Sequence, residues 1–258
     1  MIHVNPSEGV AASIETHAGQ ARQRIARRLG AHVAMDLLGF ARGPALAFAL
    51  FAFVAGTAWR MYDVLRRPAS VDRSAPRQGS PVAGALRAVV SRMWPYRTFR
   101  ERSWPATVNA YGYHVGLAIV FFGFAPHIAF VDRLLGVAWP ALPGWAVVVG
   151  VWLAFVGLIV ALARRLADPV LRLLSRFDDY AAWAITMLPI LTGMALVTRP
   201  LGEPYPLRPD DPTAVAVHLL SVELLLVVLP FCKLAHAFLV FAARGVTGAR
   251  FARRGAAF

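Results

Sequence analysis

A single cysteine, Cys232, stands among 258 residues. One thiol excludes an internal disulfide, a CxxCH haem attachment and an iron–sulfur cluster held by this chain alone, so any such cluster has to sit on a partner. Charge is equally scarce. Only 16% of the residues are Asp, Glu, Lys or Arg while 58% are hydrophobic, and an ordinary soluble domain carries roughly a quarter charged residues. The opening residues, MIHVNPSEGV, lack the apolar core of a secretory signal, so the membrane segments themselves are expected to direct insertion. No glycine-rich phosphate loop stands out. Acidic residues are outnumbered, 14 against 27 basic ones, for a net charge of +13. The basic residues gather between apolar runs, where topology and anionic lipid account for them, and nucleic acid is not an expected partner.

What is present is a series of apolar runs. About 20 apolar residues cross a bilayer as a helix, and five stretches qualify: residues 44–61, 108–131, 145–162, 180–198 and 213–243. Continuous apolar runs select helices over a barrel. The expected fold is therefore all-α, a polytopic bundle of five transmembrane helices. Residues 1–42 form an N-terminal segment in which Ile14, Ala18, Ala21, Ile25, Leu29, Val33 and Leu37 recur at helical spacing, the pattern of an amphipathic surface helix. Residues 43–243 form the membrane domain with a loop over 63–107, and 244–258 form a basic tail. Within the loop, residues 68–82 (PASVDRSAPRQGSPV) read as a linker.

Arginine placement sets the expected orientation. The first-to-second connection carries a row that includes Arg66, Arg67, Arg73, Arg77, Arg97, Arg100 and Arg102. The third-to-fourth connection has Arg164, Arg165, Arg172 and Arg176, and the tail has Arg244, Arg250, Arg253 and Arg254. The other two connections are poor in net positive charge: Arg133 in one, and Arg199 and Arg208 beside Glu203, Asp210 and Asp211 in the other. Five spans then place the N-terminus outside and the C-terminus in the cytoplasm of a bacterial-type inner membrane. Arg22, Arg24, Arg27 and Arg28 run against this on the outer segment.

Four histidines interrupt the apolar runs: His114 and His127 in the second, His218 and His236 in the fifth. Ionisable groups inside a membrane are rare and mark function. Two pairs on spanning segments suggest axial ligands for b-type haem stacked across the bilayer. His218 and His236 are eighteen residues apart, five whole turns, hence on one face and ~27 Å apart along a regular helix. Antiparallel spans set His114 opposite His236 near the cytoplasm and His127 opposite His218 near the outside. The thirteen residues from His114 to His127 leave ~220° of rotation, so a regular helix aims these two apart. Pro126, with Gly123 before it, is expected to end or distort the helix there, and Pro230 can do the same in the fifth span. The plainer reading of each histidine is a hydrogen-bonded contact between helices. His3, His17 and His32 read as ordinary surface residues.

The stretch YHVGLAIVFFGFAPHIAFVDRLLGVAWPALP (Tyr113–Pro143) and the stretch HLLSVELLLVVLPFCKLAHAFLVFAAR (His218–Arg244) resemble the gamma subunit of respiratory nitrate reductase. They are closer still to its relatives in sulfite-reductase-linked and heterodisulfide-reductase-like membrane complexes. DPVLRLLSRFDDYAAWAITMLPILTGMAL (Asp168–Leu196) is similar too. The likeness covers Thr98 to Arg244, and Pro230–His236 is its most specific part. It implies a five-helix cytochrome b in a respiratory-type oxidoreductase complex, with one or two b haems between helices two and five. Such a subunit exchanges electrons between membrane quinone and a cytoplasmic iron–sulfur subunit, while substrate chemistry belongs to the partners. It implies haem ligation by His114, His218 and His236. In nitrate reductase gamma subunits the other helix-two ligand follows ten positions after the first. Phe124 stands there and cannot ligate, which argues against nitrate reduction itself; the closer relatives carry the histidine where His127 stands.

Other intramembrane groups join the candidates. Glu223, in an apolar run, is a candidate to take a proton from quinol, or else a neutral residue bonding a neighbouring helix. Lys233 and Arg244 can pair with haem propionates near the inner surface or snorkel to headgroups, and Asp132 and Arg133 can do the same for an outer haem. Tyr111 and Tyr113 read as an interfacial aromatic belt. Two rival functions share these features. One is a proton-coupled transporter or channel using the histidines and Glu223. The other is an anchor that binds partners through its basic loop.

Overall fold

The structure is a computed structural model that describes residues 6–66, 79–95, 98, 100–197 and 211–256, with side chains from residue 20 onward except residue 21. Residues 67–78, which include most of the expected linker and Arg67, Arg73 and Arg77, lie outside it, as do Arg97 and the charged residues Arg199, Glu203, Arg208 and Asp210.

Among the described residues the chain is all helix. The elements are α1 (Pro6–Phe40), α2 (Leu46–Arg66), α3 (Pro81–Ser91), α4 (Arg100–Gly123), α5 (Ala125–Leu135), α6 (Gly144–Ala167), α7 (Pro169–Leu174), α8 (Phe177–Val197), α9 (Pro212–Val228) and α10 (His236–Arg253). Four helical stretches are long and apolar enough to cross a membrane, and α4 with α5 makes a fifth if the bent pair counts as one span. The chain is a multi-pass helical membrane protein. Several starts share one local device: a capping side chain followed by proline. Ser80 accepts from the Ala83 amide, Asp168 from Val170 and Leu171, and Asp211 from Thr213 and Ala214, each with a proline next. The cap satisfies orphan amides and the proline occupies a position whose amide has no partner anyway.

Small residues set the closest approach. Gly116 of α4 faces Gly150 and Ala154 of α6, where an added Cβ would come within 2.5 Å of the Gly150 carbonyl oxygen. Backbones in lipid pack tightly at such positions because dispersion replaces the hydrophobic drive. The Asn109 amide donates to the Gly157 carbonyl at 2.9 Å and the Trp183 indole donates to Leu158 at 2.8 Å, tying α4 and α8 to α6. On the other side, Leu38 and Ala41 pack on Ala216 of α9 together with Leu37, Val215, Leu219 and Leu220.

Three spans differ from the sequence-based expectation. The first does not begin near Pro44: α1 runs through a π-helical turn (Ala41–Ala45) into α2, and residues 22–66 form one helical stretch. The apolar stripe of α1 exists, but Ile25, Leu29 and Val33 are all exposed, while Ile14, Ala18 and Ala21 lie outside the described side chains. The second span is broken at Phe124, with a 61° bend between α4 and α5. The fifth is not one helix over 213–243. It is interrupted by two short 3₁₀ turns, Leu229–Phe231 and Lys233–Ala235, which meet at an extended Cys232. Pro230 lacks the amide that would continue the helix, so His218 and His236 stand on separate helices and not on one continuous face.

Candidate functional site

The bend in the second span is what positions His127. A helix end leaves its last four carbonyls without partners. In α4 three of them are taken up: Val120 accepts from the His127 ring Nδ1 at 2.9 Å, Gly123 from the Leu142 amide at 2.9 Å, and Phe122 from the Trp139 indole. The 220° mismatch is thereby removed: His127 belongs to a new helix, and its ring folds back onto the end of the old one.

The histidines meet in the pairs that antiparallel topology requires. The rings of His114 (α4) and His236 (start of α10) have centroids 6.0 Å apart with planes at 84°. Those of His127 (α5) and His218 (α9) have centroids 6.2 Å apart with planes at 10°. Every Nδ1 in the set is engaged. His114 bonds its own α4 at the Ala110 carbonyl (2.7 Å), His236 the Lys233 carbonyl (2.8 Å), and His127 the Val120 carbonyl. A carbonyl can only accept, so the proton in these three rings is on Nδ1 and Nε2 is the free lone pair. His218 Nδ1 lies 3.0 Å from the Thr192 hydroxyl, which donates to the Leu188 carbonyl at 2.9 Å and so keeps a lone pair for the ring N–H. Gly193 makes room, since a Cβ there would stand 3.1 Å from His218 Cε1.

Two imidazole nitrogens each about 2.0–2.1 Å from one metal separate the ring centres by about 6 Å, the spacing of both pairs. Among the described residues no group of three or more His, Cys, Asp or Glu converges as a metal site. Two ligands are too few for a bare ion, but they are what an iron already held by four porphyrin nitrogens requires.

The polar candidates have other partners. Lys233 is not free for a propionate, because its ammonium bonds Asp179 and lies 3.5 Å from Asp178, both at the start of α8. Asp179 also bridges Arg165 at 3.1 Å. Arg244 reaches Met93 Sδ at 3.1 Å. Arg133 folds onto its own helix at Ala129. Tyr113 stacks on His114, centroids 4.4 Å apart, and the Tyr111 hydroxyl donates to the Met93 carbonyl beside Trp94. Arg60 of α2 escaped sequence reading. Its Nε is enclosed and without a hydrogen-bond partner, one turn beyond Gly56, which touches Pro230 and Phe231. Glu223 is 5% exposed and neither carboxyl oxygen has a partner.

A protein of Nitratidesulfovibrio vulgaris (strain Hildenborough), called simply "Protein", is 30% identical over 226 residues, spanning 86% of this chain and 96% of that one. The chain belongs to that protein's family. No family model matches it, and no solved structure does. The likeness covers most of both chains.

Proposed function

We propose that this chain is a haem b electron-transfer subunit of a respiratory-type oxidoreductase complex, working between membrane quinone and an iron–sulfur subunit on the cytoplasmic face. The observation that carries the reading is the state of the four histidines: each Nδ1 is held by a hydrogen bond, and the rings stand in pairs at the spacing of a bis-imidazole metal. Haem ligands characteristically have the second nitrogen tied in this way, which fixes the tautomer, orients the ring and raises its basicity.

His114 with His236, and His127 with His218, would hold the two irons, and haem bound there supplies a reversible one-electron ferric/ferrous couple. The residues around them do the remaining work. Thr192 aims and polarises His218, Tyr113 braces the His114 ring, and the carbonyls of Ala110, Val120 and Lys233 hold the other imidazoles. With Lys233 bound to α8, Arg244 and the enclosed Arg60 are the cations that would serve a propionate at the His236 end. Arginine distribution supports the N-terminus outside and the C-terminus in the cytoplasm, and a single cysteine leaves the iron–sulfur clusters to the partner.

Reduced-minus-oxidised spectra of the purified protein test this directly. Bands of b type, with pyridine haemochrome content halved in His236→Ala and in His218→Ala and lost in the double variant, are expected. A preparation with intact helicity and no b-type absorption would refute the reading.

A further inference from the structure

Glu223 looks away from the histidines. It lies five residues after His218, about 7.5 Å along α9 and some 140° around it. Its side chain lines a cleft of about 390 Å³ between α9 and the α1–α2 junction, with both carboxyl oxygens enclosed just behind the wall. Leu220, Leu224 and Val227 form one wall, while Pro44, Ala45 and Phe48 form the other. Pro44 and Ala45 belong to the π-helical turn Ala41–Ala45, a kind of irregularity that recurs at functional sites. Phe40 and Phe48 flank the mouth and are 52% and 63% exposed, so the cleft opens sideways, toward where lipid lies around the bundle.

An unpartnered carboxyl in apolar surroundings is costly and calls for a ligand that completes it. Water is a poor candidate, since a buried water needs two to four polar partners and this cleft offers one group. A lipid chain fills the space but leaves the carboxyl unpaired. An aromatic ring carrying an oxygen fits both requirements: apolar faces against Phe48 and the leucines, and an edge oxygen at Glu223. The volume lies at the lower end of small-molecule sites, ~300–1,000 Å³, enough for a ring whose apolar tail leaves by the open mouth.

We propose that this cleft binds the head ring of a lipid-soluble quinone, with the Glu223 carboxyl hydrogen-bonded to one ring oxygen. A neutral carboxyl donates to a quinone carbonyl, and a carboxylate accepts from a quinol hydroxyl, so the same residue serves both redox forms. This rests on the electron-transfer reading for its purpose. The ring then sits across α9 from His218, roughly one helix diameter (about 10–12 Å) away.

The test uses the whole protein in detergent with a photoreactive short-chain naphthoquinone, mapping the cross-linked peptides. Labelling is expected within residues 40–49 and 220–227. Glu223→Leu, which keeps bulk and removes the hydrogen bond, should weaken quinone binding roughly two- to tenfold. Glu223→Gln, which still donates to a carbonyl, should restore most of it. Ala45→Phe should block labelling. All three should keep the absorption spectrum of the parent. Labelling confined to other segments, or Glu223→Leu and Ala45→Phe binding as tightly as the parent, would overturn the proposal. The two readings fail separately: b-type bands with an unlabelled cleft remove only the quinone site, and a labelled cleft without b-type bands removes only the haem.

Discussion

His127 and His218 face one another with ring planes 10° apart, and the first is there only because the chain breaks at Phe124. At the other pair, His114 and His236 cross at 84°. Axial imidazole planes govern the ligand field of low-spin ferric haem. Parallel planes split the lower d orbitals and give a rhombic paramagnetic spectrum, whereas crossed planes leave them nearly degenerate and give a strongly anisotropic one. With haem at both pairs as proposed, electron paramagnetic resonance of the oxidised protein should show two different low-spin signals. His218→Ala should remove the rhombic one and His236→Ala the anisotropic one. Two identical signals would contradict the ring geometry.

Thr192 supplies the hydroxyl at 3.0 Å from His218 Nδ1. A hydrogen bond to that nitrogen raises the basicity of the ligand and favours the ferric state. Thr192→Val keeps the shape and deletes the bond. The haem of that pair should be retained with its midpoint potential raised by on the order of 20–60 mV, the equivalent of about 0.5–1.5 kcal/mol for one electron. Redox titration reads the shift; an unchanged or lowered potential counts against the assignment.

Gly123 closes α4 against Leu142, where an added Cβ would lie 2.6 Å from Leu142 Cδ1. Gly123→Leu must displace the residue whose amide caps the Gly123 carbonyl, an overpacking cost of about 1–3 kcal/mol. The rhombic signal should broaden or vanish while that of the His114–His236 pair survives. Equal damage to both would mean that the bend serves the bundle as a whole.

Lys233 ties the start of α8 to the break between α9 and α10. Its ammonium bonds the Asp179 carboxylate and lies 3.5 Å from that of Asp178. Removing the cation leaves Asp179 with Arg165 alone. Thermal unfolding near neutral pH should therefore occur at a lower temperature in Lys233→Met than in the parent. An unchanged midpoint would show that this contact does not hold α8 to the break.

The histidine pairing was legible because it depends on few quantities: which spans carry the residues, how far along, and that neighbouring spans run antiparallel. The break at Phe124 was legible in Gly123 and Pro126, which act locally. Pro230 flagged the second interruption, although not that it would take two short turns and an extended Cys232. The partners of Lys233 were hidden, since Asp178 and Asp179 lie more than fifty positions away on another helix and nothing local announces them. Thr192 and Gly193 were missed for the same reason: a threonine and a glycine in an apolar helix signal nothing until His218 is packed against them. The entry of α1 into the bundle was obscured because Leu38 and Ala41 sit at the end of a polar, arginine-rich stretch.

The turn at Ala41–Ala45 acts as a phase shifter. An α-helix advances 100° per residue, so one surplus residue in a turn rotates everything upstream by about that amount. The long N-terminal arm, with Ile25, Leu29 and Val33 along one side, is thus aimed by a local irregularity together with the contacts of Leu37 and Leu38 on α9. Deleting a single residue in this turn would swing that stripe roughly a quarter of the way round while leaving α2 where it is.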